Sequence, residues 1–356
     1  MQHQAPLAPL TTLRLGGCAR HLIGVSDEHE LIEALRWAAS DALPVLILGG
    51  GSNLVVRDGG WEGVVIQIGL RGLVIDRPTG RVMVAAGEPW DEVVAQTIQE
   101  GLAGVECLSG IPGLAGATPI QNVGAYGQEI SEVITAVHVW DRRAGQRRVL
   151  TPSSCAFGYR DSAFKRDPEA AVVLAVELQL RPGGDATLRY AELRRSLEQG
   201  GRPSLARVRE HVLALRRSKS MVLDADDPNS RSAGSFFTNP VVAPSQVEAL
   251  VEQVVREGVV DRADAVPRHP TEDGRVKLPA AWLIEAAGFR KGDRRGAVGI
   301  SSRHALALVH HGGGRTGELL AFADEITARV RERFGIELQP EPVIVGEPWA
   351  GGAAKR

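Results

Sequence analysis

Three polar side chains and two glycine-rich loops are the parts of this sequence that could do chemistry. Ser235 lies between Gly234 and the pair Phe236-Phe237, so it is either a partly buried hydroxyl at a turn or the side chain of a helix cap or ST-turn. Glu341 stands between Pro340 and Pro342 and leads into Val343-Ile344-Val345. A carboxylate entering an apolar strand is pushed towards its neutral form and becomes an acid, or it is an edge charge. Arg160, in Phe157-Gly158-Tyr159-Arg160-Asp161-Ser162, stands in a polar turn and taken alone reads as a surface arginine paired with Asp161.

Gly49-Gly50-Gly51-Ser52-Asn53 follows the apolar run Val45-Leu46-Ile47-Leu48. It fails the dinucleotide fingerprint, because Leu54 occupies the third glycine position and a β-like run follows instead of a helix. Backbone amides in such a turn form an anion-binding concavity, or the segment is a plain connection between strands. The stretch 108–127, LSGIPGLAGATPIQNVGAYG, is broken by Pro112 and Pro119 and resists any periodic assignment, so an irregular loop is expected. Its glycines permit close approach to a ligand, and Ser109, Thr118, Gln121 and Asn122 offer polar contacts. Two such loops on one β-rich domain point to a large phosphorylated cofactor.

The elements that must position these groups follow from periodicity. At 356 residues the chain needs two or three domains. Its 41 basic and 43 acidic side chains leave a net charge of -2, which excludes a field that gathers nucleic acid or acidic lipid. Cys18, Cys107 and Cys155 cannot all pair, and neither they nor His310-His311 have zinc-ligand spacing, so no disulfide framework and no metal site are expected. With no apolar leader and no bilayer-length run, a soluble cytoplasmic protein is expected. Aromatic residues make up 4% of the chain, so the core must be largely aliphatic and the positions of the few rings are informative.

Ser26 is placed to cap a helix with the apolar face Leu31, Leu35 and Ala38. Strands are expected at 45–48, 54–56 and 64–68, a hairpin at 73–85, and a helix through Trp90, Val94 and Ile98 stopped by Gly101. Further strands at 136–140, 147–150 and 171–180 complete a mixed α+β first domain over 10–185, with subdomains of about 10–70 and 71–185. Residues 186–219 read as a helical connection interrupted at Gly200-Gly201 and Pro203. A second α+β domain over 220–346 carries helices at 245–257, 279–287 and 316–334 and a strand at 305–310, and 347–356 reads as a frayed tail.

Taken in order, six segments closely resemble the UDP-N-acetylenolpyruvoylglucosamine reductases (UDP-N-acetylmuramate dehydrogenases) of peptidoglycan synthesis. They are TLRLGG at 12–17, GGGSNLVV at 49–56, SGIPGLAGATPIQNVGAYG at 109–127, FGYRDSAFK at 157–165, AGSFFTNP at 233–240 and LQPEPVIVG at 338–346. The resemblance implies an α+β fold: a vanillyl-alcohol-oxidase-type FAD-binding domain of two α+β subdomains, then a smaller α+β substrate-binding domain. It implies non-covalent FAD, NADPH as hydride donor, and reduction of the enolpyruvyl double bond of a UDP-sugar. A small-molecule UDP-sugar is thus the expected partner of a monomeric enzyme, with no nucleic acid and no membrane.

Carried over residue by residue, the family's catalytic arginine falls on Arg160, its proton-donating serine on Ser235 and its catalytic glutamate on Glu341. Tyr190, Lys219 and Asn239 fall on substrate contacts, the first two chiefly at the diphosphate. The tyrosine at 190 looks like the subgroup that closes a tyrosine-bearing loop over the substrate. The implied flavin contacts are Gly50, Gly51, Ser52, Asn53 and Leu54 in the first loop. In the second they are Ser109, Gly110, Ile111, Pro112, Gly113, Gly116, Ala117, Pro119, Gln121, Asn122, Gly124, Ala125 and Tyr126. All three tyrosines then lie near flavin or substrate, with Phe236 and Phe237 flanking the proton donor. Thr238 departs from a common lysine, Gln339 from a frequent acidic residue, and 310–314 from an asparagine-containing turn, the last a surface variation. An oxygen-using flavin oxidase on the same domain, and a non-catalytic nucleotide-sugar-binding protein, are the competing classes.

Overall fold

The computed structural model of the chain describes residues 1–197 and 201–346, so the expected tail at 347–356 lies outside the described residues. The chain divides into two units that do not follow chain order. The first takes 1–5, 19–51 and 61–223, and the second takes 6–18, 52–60 and the described residues from Asp224 onward. Within the second unit, Leu54–Val56 pairs in parallel with Val343–Val345, and Leu13, Leu15 and Val55 enter its core. No local pattern announces these two excursions, because strand pairing at long range leaves no periodicity in either partner.

In the first unit the helix Glu28–Ser40 buries Leu31, Ala34, Leu35 and Ala38. Asp27, and not Ser26, is its cap: Asp27 Oδ1 accepts the Glu30 amide at 2.9 Å, while Ser26 donates from its backbone and hydroxyl to the Glu30 carboxylate. A carboxylate at this position satisfies an orphan amide and complements the helix dipole. A four-stranded sheet runs in the order Gln2–Pro6, Cys18–Val25, Trp61–Ile68, Val45–Leu48, the last three parallel. A five-stranded antiparallel sheet orders Gln146–Leu150, Ile134–Asp141, Ala171–Gln179, Arg81–Ala85 and Leu73–Asp76. Trp90, Val94 and Ile98 of the helix Trp90–Gln99 are buried, and Gly101 adopts φ +72° beyond its end. The expected irregular loop holds more local structure than its sequence suggests: a helical turn Thr118–Gln121 and a two-residue ribbon of Gly124–Ala125 with Gln128–Glu129.

The second unit packs the helices Pro244–Arg256, Ala280–Ala286 and Thr316–Phe334 around Leu250, Leu283, Ile284, Leu319 and Ile326. Phe236, Phe237, Phe289 and Phe322 belong to this core, and Trp90 to that of the first unit. Large rings thus also fill volume in these aliphatic cores. The strand expected over 305–310 is confined to Leu308–His310.

Candidate active site

The two glycine loops approach backbone to backbone in the first unit. A Cβ on Gly50 would lie 2.9 Å from Gly113 Cα, so a side chain there must move main chain, and Gly51 and Gly113 have φ of +62° and +111°, where a side chain is strained. Residues 86–90 hold the second loop from behind: the Gly116, Ala115 and Trp90 amides donate to the carbonyls of Ala86, Glu88 and Gly113 at 2.9, 2.8 and 3.0 Å. Among the described residues the amides of Ile111, Gly113 and Leu114 donate to no partner. Each of the four polar side chains has a partner within the protein. Ser109 and Thr118 donate to the carbonyls of Glu106 and Ala115, Gln121 Oε1 accepts from Lys165 Nζ, and Asn122 Nδ2 bonds Gly158 O and Glu129 Oε2. What the loop offers a ligand is chiefly backbone, a cradle of open amides that fits an extended diphosphate-bearing cofactor such as FAD. Gly50→Ala is expected to raise the dissociation constant for FAD about tenfold or more, a loss of about 1.4 kcal/mol. Titration of the deflavinated protein checks it; an unchanged constant removes the cradle.

Arg160 is built into this loop. It occupies the third position of a tight turn in which Gly158 and Asp161 exchange both backbone hydrogen bonds, at 2.9 and 3.2 Å, and its φ is +53°. Asp161 pairs with Arg166, and the Arg160 guanidinium donates to the carbonyls of Gly124 and Asn122 above the Tyr159 ring. The isolated expectation of an Arg160–Asp161 surface pair is overturned, because the reversed backbone turns the guanidinium towards the glycine loop. A Cβ on Gly124 would fall 2.8 Å from Arg160 Nη1, so that glycine leaves room for the guanidinium. Lys165, not singled out from the sequence, donates to the Arg160 carbonyl at 3.1 Å and fixes the turn.

Tyr126, also at positive φ, meets Tyr190 edge to face, with ring centroids 5.3 Å apart. Burial pushes its phenol up to about 12, partly offset by the Arg216 guanidinium, so it stays neutral. Tyr190 remains 40% exposed, just ahead of the helix Ala191–Leu197. Lys219 caps the C-terminus of the helix Leu205–Ser218 and donates to Glu192 Oε2 at 3.0 Å.

In the second unit, Ser235 and Glu341 are brought together by antiparallel pairing of two irregular segments. The Glu341 amide donates to Phe236 O at 2.9 Å, the Thr238 amide to Gln339 O at 3.0 Å, and the Phe236 amide to Leu306 O at 2.7 Å. Phe236 and Phe237 are buried beneath, which anchors Ser235 by packing; truncating either ring costs about 3–5 kcal/mol. Among the described residues the Ser235 hydroxyl has no hydrogen-bond partner. Asn239 Oδ1 accepts the Ala280 amide at 2.9 Å. The departures Thr238 and Gln339 are backbone partners of each other. His310 is no surface variation: it is 5% exposed, with Nδ1 3.0 Å from Leu13 O and Nε2 accepting the Gly314 amide at 3.1 Å. A histidine with both ring nitrogens engaged ties the 12–17 segment to this unit.

The α+β scaffold that carries the two glycine loops is matched over residues 19–151 by the FAD binding domain profile, which places the chain among the flavoproteins. The profile of the UDP-N-acetylenolpyruvoylglucosamine reductase C-terminal domain matches residues 226–345. The UDP-N-acetylenolpyruvoylglucosamine reductase of Streptomyces coelicolor is 51% identical over 97% of this chain and 90% of its own length. That of Thermobifida fusca is 50% identical over 96% and 97%. The crystal structure of the Thermus caldophilus reductase matches with a TM-score of 0.64 at 27% identity, covering 95% of this chain and 96% of that one. The chain belongs to the UDP-N-acetylenolpyruvoylglucosamine reductase family.

Proposed function

We infer that the chain catalyses NADPH-dependent reduction of the enolpyruvyl double bond of UDP-N-acetylglucosamine enolpyruvate to UDP-N-acetylmuramate, a step in peptidoglycan precursor synthesis. The observation that carries this reading is similarity over nearly the whole chain to reductases of that name, at about half of all positions. Gly50, Gly51 and the loop 109–126 hold FAD, which when bound supplies the hydride chemistry linking NADPH to the alkene. The chain's own residues handle charge and protons. Hydride addition to the terminal alkene carbon leaves negative charge on the carbon beside the carboxylate, spread into that carboxylate. Arg160 meets this charge with a fixed cation, and Glu341 is the second catalytic group beside it. Ser235 then gives its proton to the carbanionic carbon, a centre basic enough to take one from a neutral hydroxyl. Tyr190 and Lys219 bind the diphosphate, Lys219 exchanging Glu192 for phosphate oxygens, and Asn239 adds a contact through its amide. The Tyr190 segment is the one that closes on the substrate, as its exposure and its edge contact with Tyr126 allow.

No helix of the described residues is long and apolar enough to cross a membrane, and the reading takes the enzyme as a cytoplasmic monomer; light scattering that finds a stable dimer corrects the oligomeric state. The purified protein is expected to be yellow, to bleach with NADPH under anaerobic conditions, and to regain colour when the enolpyruvyl UDP-sugar is added. A protein that takes up no FAD sinks the reading. Recolouring by oxygen alone favours an oxidase.

A further inference from the structure

Asp91 lies in the first turn of the helix Trp90–Gln99, and its carboxylate meets two other elements. Oδ1 accepts the amide of Gly110, at the start of the second glycine loop. Both oxygens receive the Arg209 guanidinium fork-to-fork, Nη1 to Oδ1 at 2.6 Å and Nη2 to Oδ2 at 2.8 Å. Arg209 belongs to the helix Leu205–Ser218, and this helix presses on the same glycine. A Cβ on Gly110 would lie 2.7 Å from Leu213 Cδ2 and 3.3 Å from Arg216 Cδ. Most exposed ion pairs contribute little, but this one is bidentate, with the Arg209 side chain 19% exposed. Desolvation pushes the Asp91 carboxyl up, yet the hydrogen bonds from Arg209 and Gly110 outweigh it and hold the group below the usual carboxylate range. It is charged at neutral pH and directed at one loop amide.

We propose that Asp91 and Arg209 are positioning residues for the flavin: Asp91 fixes the Gly110 amide and with it the start of the open-amide cradle, and Arg209 fixes Asp91. The proposal rests on the reading that the chain binds FAD. The test compares Asp91→Ala, Asp91→Asn and Arg209→Met as holoenzymes, measuring the dissociation constant for FAD, the visible flavin spectrum, and kcat and KM for the enolpyruvyl UDP-sugar. Asparagine keeps an acceptor for Gly110 and alanine does not. Asp91→Ala is therefore expected to weaken FAD binding about thirtyfold and to shift the flavin bands, with Asp91→Asn and Arg209→Met each about threefold weaker. KM for the UDP-sugar should stay within about twofold in all three, because the effect enters through the flavin loop. Wild-type FAD affinity and spectrum in Asp91→Ala overturn the proposal. So does equal loss in the alanine and asparagine variants, which marks a merely structural ion pair. If Asp91→Ala does not fold, the other two decide: wild-type affinity in Arg209→Met, or loss in Asp91→Asn beyond about tenfold, overturns it. A wild-type protein that binds no FAD defeats the functional reading itself and is seen before any variant is made.

Discussion

Ser235→Ala is expected to leave flavin reduction by NADPH at the wild-type rate and to lower turnover on the enolpyruvyl UDP-sugar about a thousandfold. The change removes one hydroxyl that has no hydrogen-bond partner among the described residues, so little structure depends on it. The backbone around it is held independently, by the Phe236 amide on Leu306 O and the Glu341 amide on Phe236 O, and by the buried rings of Phe236 and Phe237. Folding and the NADPH half-reaction should therefore survive while proton delivery is lost. Stopped-flow absorbance separates the halves: the bleaching phase keeps its rate and the recolouring phase slows. Wild-type recolouring in the variant removes Ser235 as the donor, and loss of both phases means that the substitution disturbed the fold.

Arg160→Lys is expected to lower kcat about a hundredfold or more with FAD affinity nearly unchanged. Lysine keeps the charge but not the planar fork, and it cannot reach two carbonyls while presenting a third donor to a carboxylate. The wild-type guanidinium is directed by the carbonyls of Gly124 and Asn122, on a backbone at φ +53° that disfavours any side chain. That conformation costs about 1–2 kcal/mol for a non-glycine residue, a strain kept at a working position. Arg160→Gly and Arg160→Ala both lose the cation and should be equally inactive, but the glycine variant should be the more stable by about 1 kcal/mol. Denaturant unfolding of the two checks it, and equal stability means that the turn relaxes when the guanidinium is gone.

The periodic elements were readable because their signal is local. Leu31, Leu35 and Ala38 spell out one helix face, and the helix expected over 316–334 runs from Thr316 to Phe334. The glycine loops were readable as loops, and their order together with FGYRDSAFK, AGSFFTNP and LQPEPVIVG carried the family. Less legible was anything set by a single atom-to-atom choice. Ser26 and Asp27 are both good caps, and the geometry of Glu30 decided for Asp27. The loop side chains Ser109, Thr118, Gln121 and Asn122 read as polar contacts for a ligand, and the fold adds to each a partner within the protein that no local pattern shows.

By itself the sequence determined the chemistry on offer: a hydroxyl, a carboxylate, a guanidinium, and two stretches of backbone kept bare by glycine. It also determined many of the α and β segments, since periods of 3.6 and 2 are properties of neighbouring residues, but not the strands Gln2–Pro6 and Cys18–Val25 or the helical turn Thr118–Gln121. Tertiary structure alone decided which distant pieces meet. Thr238 and Gln339, 101 positions apart, are paired so that Glu341 lies beside Ser235. Arg209 reaches Asp91 across 118 positions, and the backbone at Arg160 is turned against its own preference. Such meetings are fixed by packing and long-range hydrogen bonding, which leave no period in the chain and become visible only once it is folded.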